Sequence, residues 1–281
     1  MAASGTRRWA SAMLRGMVRG AVRAGGRAPR LILTYHDVGE QEGAVPTAVF
    51  DAQIRRALHA GFTIVPLSSM VAWMLGQGSL PGRALSLTFD DGLASTARQA
   101  APVLARHGVT ATVFPVLNYL GGPRRFGSVR ARAILEEDDG DPETRPWDYM
   151  TWDELDTWVA AGHEVGGHTL THPFLGETPP GRGQDEVALC RQRLARRYGS
   201  PPQVFCYPFG DASGEAISWA RQGGFMAAVT TVAGSVVQES DPFQVPRVAA
   251  PAAAGLDFDD VLFAIYRYRA SARRMLSGGA A

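Results

Sequence analysis

The sequence predicts an α/β fold in which about seven parallel strands close into a barrel. Short runs of branched and aromatic residues alternate with segments of helical periodicity, and such alternation is typical of a parallel sheet. Runs of this composition and length are expected for buried parallel strands, which are covered on both faces. The roughly 250 residues after position 30 are also the usual length of one α/β barrel.

The predicted elements alternate along the chain, apart from one long interruption. Strands are predicted at residues 31–35, 62–66, 84–89, 109–116, 163–167, 203–208 and 225–232. Helices are predicted at residues 50–60, 68–75, 93–107, 152–161, 185–198, 214–222 and 258–274. Residues 31–281 are therefore predicted to form one catalytic domain, with an insertion at about 121–148 that forms either a lid or a disordered loop.

Two local signals define the ends of these helices. Thr151 and Glu154 have the spacing of a capping box at the start of the helix at residues 152–161. Five glycines follow predicted helices, where a left-handed residue commonly ends the helix: Gly61, Gly108, Gly162, Gly199 and Gly223.

The charge is divided between a cationic leader and an acidic body. All 28 basic residues are Arg, and residues 1–30 contain seven of them with no acidic residue. The other 251 residues therefore hold 21 Arg against 27 acids, a net charge of −6. An acidic body argues against a nucleic-acid partner, and the absence of Lys excludes Schiff-base enzymes.

The Arg-rich extension at residues 1–30 does not resemble a secretory signal, because Arg15, Arg19 and Arg23 interrupt its apolar stretch. One interpretation is a basic amphipathic helix that contacts an anionic membrane through residues 8–27. A disordered extension, a core-docked extension and a misassigned start codon are the alternatives. No apolar run reaches the roughly 20 residues of a membrane span, so a cytoplasmic or membrane-peripheral location is favoured.

Two polar motifs follow predicted strands, at the end where barrels of this kind carry their active sites. Asp90 and Asp91 come directly after the strand at residues 84–89, where two buried acids are costly unless they bind something, although Asp-Asp-Gly alone also fits a simple turn. His168 and His172 follow the strand at residues 163–167, between Gly166-Gly167 and Pro173, so they lie in a loop. Two His and one carboxylate suit a divalent metal with open coordination positions.

These motifs resemble those of the polysaccharide deacetylases, carbohydrate esterase family 4. Thr88-Phe89-Asp90-Asp91-Gly92 matches the T-F-D-D-G motif, His168-Thr169-Leu170-Thr171-His172 matches H-[ST]-x-x-H, and Tyr207-Pro208-Phe209-Gly210 resembles the third motif. The similarity covers about residues 31–250, and the Tyr35-His36-Asp37 segment is similar to the branch that acts on poly-N-acetylglucosamine.

The resemblance implies a deformed (β/α) barrel of the polysaccharide-deacetylase type. It also implies a metal-dependent hydrolase that removes N-acetyl groups from amino-sugar polymers or glycoconjugates, with an acetylated glycan as substrate. Asp91, His168 and His172 would ligate the divalent metal, expected to be Zn²⁺, and Asp90 would be the general base toward a metal-bound water. The backbone N–H of Phe209 would stabilise the oxyanion, and Tyr207 and Pro208 would line the same part of the site. Trp147, in the insertion, is a candidate platform for a sugar ring.

The sequence departs from the family pattern at the general acid, because no His follows His172. The remaining candidates are His36, His59, His107 and His163. His36 is favoured, since it alone directly follows a strand, and Asp37 would orient it or bind substrate. Simple capping of the strand by both residues is the alternative.

A second departure is Cys206, which stands where much of the family has an Arg that orients the base. Arg247 is a candidate to supply that charge from a later strand, and a surface Arg is the equally open alternative. An amidase or O-deacetylase of the same fold, and a glycan-binding pseudoenzyme, are the alternative functions. The presence of Asp90 beside a complete set of ligands argues against the pseudoenzyme, because binding needs no base.

Overall fold

The computed structural model describes residues 29–121, 123–124 and 147–262. Its strands are β1 Leu31–Tyr35, β2 Thr63–Ile64, β3 Ala84–Asp91, β4 Thr112–Pro115, β5 Pro123–Arg124, β6 Trp147–Asp148, β7 Glu164–Val165, β8 Val204–Cys206, β9 Ala227–Val229 and β10 Val248–Ala249. Its α-helices are α1 Thr47–His59, α2 Leu67–Met74, α3 Ala101–His107, α4 Trp152–Ala160, α5 Pro180–Tyr198, α6 Gly214–Gln222 and α7 Leu256–Leu262.

Seven parallel strands form a closed but uneven ring. Hydrogen-bonded pairing runs in the order β10-β1-β3-β4-β7, and β8 pairs with β9. Single bridges complete the ring, from Gly167 to Phe205 between β7 and β8, and from Val229 to Val245 between β9 and the segment before β10. At these two places the neighbouring strands are joined by single bridges instead of continuous pairing, so the ring is irregular. This confirms the predicted deformed barrel.

The amino end of the barrel, where its strands begin, is closed by α2. β2 pairs only with the first two residues of β3, so the chain leaves the sheet early and enters α2 beneath it. Leu67, Met70 and Val71 of α2 pack in one cluster with Ile32 of β1 and Phe114 of β4. The interior is therefore filled, and only the carboxyl end is left to hold a site.

Most predicted elements are present, with shifted ends. The Thr151–Glu154 capping box is confirmed by hydrogen bonds of 3.1 Å and 2.8 Å. The helix predicted at residues 93–107 contains a π-helical turn at Thr96–Ala100 before α3. α5 begins at Pro180, five residues before the predicted start at residue 185, with a proline in its first turn where no N–H is needed.

Two sequence-based expectations need correction. Gly223 is right-handed (φ −64°), and the left-handed residue after α6 is Gly224 (φ 85°), one position later. β10 is a strand beyond the seven predicted runs, and it supplies the seventh strand of the ring, since β2 lies outside it. A strand of only two residues has too little periodicity to be predicted from the sequence.

Several expectations fall outside the described residues. These are the Arg-rich extension up to residue 28, the interior of the insertion at 125–146, the side chain of Trp147 and the predicted helix beyond Leu262. At the base of the insertion, β5 pairs antiparallel with β6. Among the helices that the structure describes, none combines the length and apolar character needed to cross a membrane.

Candidate active site

The end of β3 places two buried carboxylates at the carboxyl end of the barrel. Asp90 is 3% exposed and Asp91 is 6% exposed. The backbone turns at once, with Asp91 at φ 67° and Gly92 at φ 75°. A Cβ on Gly92 would lie 2.9 Å from the Cα of Pro115, so only glycine fits against β4 here. The Asp-Asp-Gly turn is therefore real, and it also holds the acids in the barrel mouth.

The loop after β7 brings the two histidines to the same point. Gly166 packs so closely on Phe114 that a Cβ would lie 2.1 Å from the ring. After Gly167 the chain is irregular, with Thr169 at φ 64° and His172 at φ 56°. The two histidines are thus carried by a loop, as predicted, and both rings are buried.

Asp91, His168 and His172 form a compact set of side chains that could hold a metal ion. The Nε2 atoms of both histidines lie 3.2 Å from Oδ1 of Asp91, and the possible ligand atoms all lie within 4.8 Å of one another. The Nδ1–H of His168 donates to the carbonyl of Cys206 at 2.8 Å, which leaves its Nε2 lone pair directed at the set. Such an outer hydrogen bond is typical of metal-binding histidines.

The electrostatics of this set fit a cation. Burial raises the pKa of Asp91, but the charge of His172 and the hydrogen bonds of both histidines outweigh it, so the pKa lies well below its usual range. Burial lowers the pKa of His172 despite the opposing effect of Asp91. Burial also acts to lower the pKa of His168, but its contacts with Cys206 and Asp91 raise it well above the usual value. Metal binding to such ligands releases a proton.

Asp90 is held by Arg247, which is fully buried rather than a surface residue. The guanidinium makes two parallel hydrogen bonds of 2.7 Å to the two carboxylate oxygens. Its Nη1 also donates to Thr88 at 3.1 Å, and its Nε donates to the carbonyl of Thr230 at 3.0 Å. Arg247 is 1% exposed, and its hydrogen bonds to Asp90, Thr88 and Thr230 hold the guanidinium from three sides.

Arg247 determines the protonation state of Asp90. Burial raises the pKa of the carboxyl, and the charge and hydrogen bonds of Arg247 outweigh that effect, so the pKa lies below its usual value. Nη2 of Arg247 also lies 3.2 Å from Sγ of Cys206. Burial raises the pKa of the Cys206 thiol, which suits a small core residue rather than a nucleophile.

In the third motif, Phe209 lies at the candidate site, whereas Tyr207 and Pro208 are buried. Phe209 has a left-handed backbone (φ 57°), and its ring lies edge-on to His172, with centroids 4.5 Å apart. The side chain of Tyr207 does not reach the site, because it is buried and its hydroxyl donates to the carbonyl of Phe243 at 3.1 Å. Pro208 is also buried, at the start of a 3₁₀ turn spanning Pro208–Gly210.

His36 lies at the mouth of the barrel and is exposed. Tyr35 pairs with Phe89, so His36 and Asp90 are the next residues along neighbouring strands. The charge of His36 contributes to lowering the pKa of both Asp90 and Asp91. Asp37 is half-buried, and its Oδ1 accepts a hydrogen bond of 2.5 Å from the Ser95 hydroxyl.

The other candidate histidines are not at the mouth. His59 is the last residue of α1, and His163 directly precedes β7, so both belong to the amino end of the barrel. His107 ends α3, and its Nε2 lies 2.9 Å from Asp51.

Two residues near the site were missed by the sequence analysis. The ring of Phe174 stacks on Phe209 at 4.0 Å and 9°, beside His172. Glu186 is buried behind the histidine loop. A signal existed for Glu186, since it shares one face of α5 with the buried Val187 and Cys190, and an acid on an apolar face indicates a partner. Nothing in the sequence distinguishes Phe174 from a core aromatic.

The sequence is similar to those of known deacetylases. A family model described as "Polysaccharide deacetylase" matches residues 77–228, more than half of the chain. The protein named "Putative polysaccharide deacetylase YxkH" of Bacillus subtilis is 23% identical over 231 residues, 81% of this chain and 74% of that protein. The poly-beta-1,6-N-acetyl-D-glucosamine N-deacetylase of Staphylococcus epidermidis is 23% identical over 172 residues, 61% of this chain and 56% of that protein.

The fold is also found among solved structures. The structure of IcaB from Ammonifex degensii superposes with a TM-score of 0.69 at 22% identity. The match covers 84% of this chain and 96% of that one. At this level of identity the likeness establishes the fold, and the barrel described above agrees with it.

Proposed function

The chain belongs to the polysaccharide deacetylase family, and we propose that it removes N-acetyl groups from amino-sugar polymers or glycoconjugates. One observation carries the proposal: a buried Asp-His-His set lies next to a second carboxylate that is fixed by a buried Arg. The first carboxylate would bind a cation and the second would act as a base. A binding module has no need for this division of roles between Asp90 and Asp91.

The residues present fit a divalent metal, and Zn²⁺ is the ion proposed. Two imidazole nitrogens and one carboxylate oxygen, all buried, are donors that Zn²⁺ accepts, and three protein ligands are the number found in catalytic zinc sites. When bound, the ion supplies Lewis-acid chemistry, which polarises a carbonyl oxygen and makes a water molecule more acidic. Asp91, His168 and His172 would hold it.

Asp90 is proposed as the general base. Its carboxylate stays ionised because Arg247 lowers its pKa, so it can accept a proton from the attacking water. The new C–O bond forms as that proton is transferred, and the acetyl carbon becomes tetrahedral. The fork from Arg247 fixes both oxygens, so the base need not reorient during the reaction.

The developing oxyanion would be stabilised by the backbone N–H of Phe209. This residue follows β8 at the barrel mouth, and its ring packs against the ligand His172. Its left-handed backbone is unusual for a bulky residue, and such conformations cluster at functional sites. The stacked pair of Phe209 and Phe174 also offers an apolar wall for the acetyl methyl group.

His36 is proposed as the general acid that protonates the leaving amine as the C–N bond breaks. Its place beside Asp90 puts it on the opposite side of the mouth from β8, and its exposure allows it to recover a proton from solvent. Asp37, tied to Ser95, anchors the backbone that carries it. The products are acetate and a free amino sugar.

The decisive experiment measures acetate release from chitooligosaccharides and from β-1,6-linked N-acetylglucosamine oligomers, with added Zn²⁺ or Co²⁺. We expect release from one of these polymers, and Asp90→Asn should abolish it while the metal stays bound. Metal binding without acetate release from any N-acetylated glycan would contradict the proposal. Release only from O-acetylated xylan would instead identify an O-deacetylase.

A further inference from the structure

The loop between the two metal-binding histidines is clamped on both sides by other elements. On one side its carbonyl groups accept hydrogen bonds from the turn after β4: the N–H of Asn118 donates to Leu170 at 2.9 Å, and the hydroxyl of Tyr119 donates to Thr171 at 3.2 Å. On the other side its N–H groups face α5. The loop has no regular secondary structure, so these contacts determine its shape.

A single side chain, Glu186 of α5, binds the N–H side of the loop. Its Oε2 accepts from the N–H of Leu170 at 2.8 Å and from the N–H of Thr171 at 2.9 Å. Its Oε1 accepts from the Thr171 hydroxyl at 2.6 Å. Glu186 is 4% exposed, and its ion pair is a long one, 4.0 Å to the exposed Arg182. The loop's own donors therefore compensate most of the buried charge.

The backbone that Glu186 holds is strained. Thr169 and His172 both have a left-handed backbone (φ 64° and φ 56°), a conformation that non-glycine residues adopt only at a steric cost. The loop itself contributes a short contact, in which the N–H of His172 donates to the Thr169 hydroxyl at 3.0 Å. Without an outside acceptor, the N–H groups of the buried Leu170 and the half-buried Thr171 would lose their hydrogen bonds, and the loop would relax to another shape.

We propose that Glu186 is a positioning residue for the metal site: it holds the 168–172 loop in the one shape that presents both imidazoles to Asp91. The inference rests on the proposed function, because it assigns Glu186 a role in binding the metal. Glu186 touches none of the reacting groups. Its effect would pass through the geometry of His168 and His172, as outer contacts commonly do in metal sites.

The chain contains a matched control at the other end of the barrel. The half-buried Glu164 accepts from the N–H groups of Leu67 at 2.8 Å and Ser68 at 3.3 Å, and from the Thr112 hydroxyl at 2.8 Å. It thus has the same three kinds of donor as Glu186, but it caps α2 at the amino end, away from the metal ligands. Glu164→Ala should cost stability without changing metal affinity.

The experiment measures Zn²⁺ affinity of the full chain by competition with a chelator, and the absorption spectrum of the Co²⁺ form. Glu186→Ala should weaken Zn²⁺ binding by about 10–100-fold and alter the Co²⁺ spectrum. Glu186→Gln should stay within about threefold, because its carbonyl oxygen can accept from both N–H groups while its NH₂ donates to the Thr171 hydroxyl. Glu164→Ala should keep the affinity and spectrum of the unmodified protein.

Three outcomes would overturn the inference. One is a folded Glu186→Ala variant with unchanged Zn²⁺ affinity, and another is an equal loss in Glu164→Ala, since affinity would then follow stability alone. If Glu186→Ala does not fold, Glu186→Asp decides: its shorter side chain cannot reach both N–H groups, so unchanged affinity there would also overturn it. An unmodified protein that binds no Zn²⁺ or Co²⁺ would instead contradict the proposed function.

Discussion

The two ends of the barrel differ in which residues adopt the left-handed backbone conformation. Both have tight connections that need left-handed residues. At the amino end these residues are glycines, which adopt this conformation at no steric cost: Gly61, Gly108, Gly162 and Gly199. In the described part of the chain, the non-glycine residues with positive φ are Asp91, Thr169, His172 and Phe209, and all of them lie at the carboxyl end.

The carboxylates also differ between the two ends. At the amino end, Glu164 caps α2 and joins it to the barrel. At the carboxyl end, Asp91 faces two histidines, and Asp90 turns both oxygens toward Arg247. The amino end is thus built for stability, while the carboxyl end carries strained backbone and buried charge, as sites that hold side chains in fixed positions commonly do.

The largest expected effect is loss of activity at the carboxyl end. Asp91→Asn removes the charge of the proposed metal ligand, so metal affinity should collapse and acetate release should fall on the order of 10⁴-fold. Acetate assays and Zn²⁺ titration would measure both losses. Circular dichroism of the metal-free variant serves as the folding control. Full activity in Asp91→Asn would remove the distinction between the two ends.

Arg247 is expected to contribute both to the stability of the fold and to the candidate active site. It therefore does not fit a simple division between a stabilising end and a functional end. Arg247→Met would leave the Asp90 carboxylate buried without a partner, which should cost roughly 3–5 kcal/mol in the free energy of unfolding. Urea unfolding would measure this loss. Arg247→Lys keeps the charge without the two-pronged contact and should lose less. A variant Arg247→Met with unchanged stability would show that the ion pair has no net value.

At the amino end, a substitution should change stability and leave the chemistry alone. Gly108 is left-handed (φ 62°) and has open space around its missing Cβ, so Gly108→Ala tests backbone strain only. We expect a loss of about 1–2 kcal/mol in unfolding free energy with the same kcat per folded molecule. Gly181→Ala is the control, since Gly181 lies in α5 with open space and no positive φ, and it should be neutral or stabilising.

The smallest expected effect is a pH dependence at the amino end. Burial lowers the pKa of His163, whose Nδ1 accepts from the N–H of Ala111 at 3.3 Å. The neutral form is therefore favoured in the folded state. Its stabilising contribution is complete above the ordinary pKa near 6.5 and is lost as the pH falls from there toward the lower folded-state pKa.

Urea unfolding at pH 7.5 and 5.5 would check this effect. His163→Gln should show a smaller difference in unfolding free energy between the two pH values than the unmodified protein does. An equal difference in both proteins would assign the pH dependence to other groups.

Much of the fold and of the site could be predicted because the information is local. Strand runs, the Thr151–Glu154 box and most helix ends depend on neighbouring residues. β10 was missed because its two residues form a strand only by pairing with β1. The direction of Tyr207 could not be predicted either, since the choice between the site and Phe243 depends on packing that the motif does not contain.

The sequence by itself determined which residue types stand at the ends of the strands: two acids after β3, two histidines after β7, and the family to which the motifs belong. Only the tertiary structure decided how these groups are held. Arg247 reaches Asp90 across 157 residues, and Glu186 reaches the histidine loop from a helix face. Both contacts follow from closure of the barrel, which brings distant segments side by side, and a pattern read along one segment carries no record of its neighbours in space.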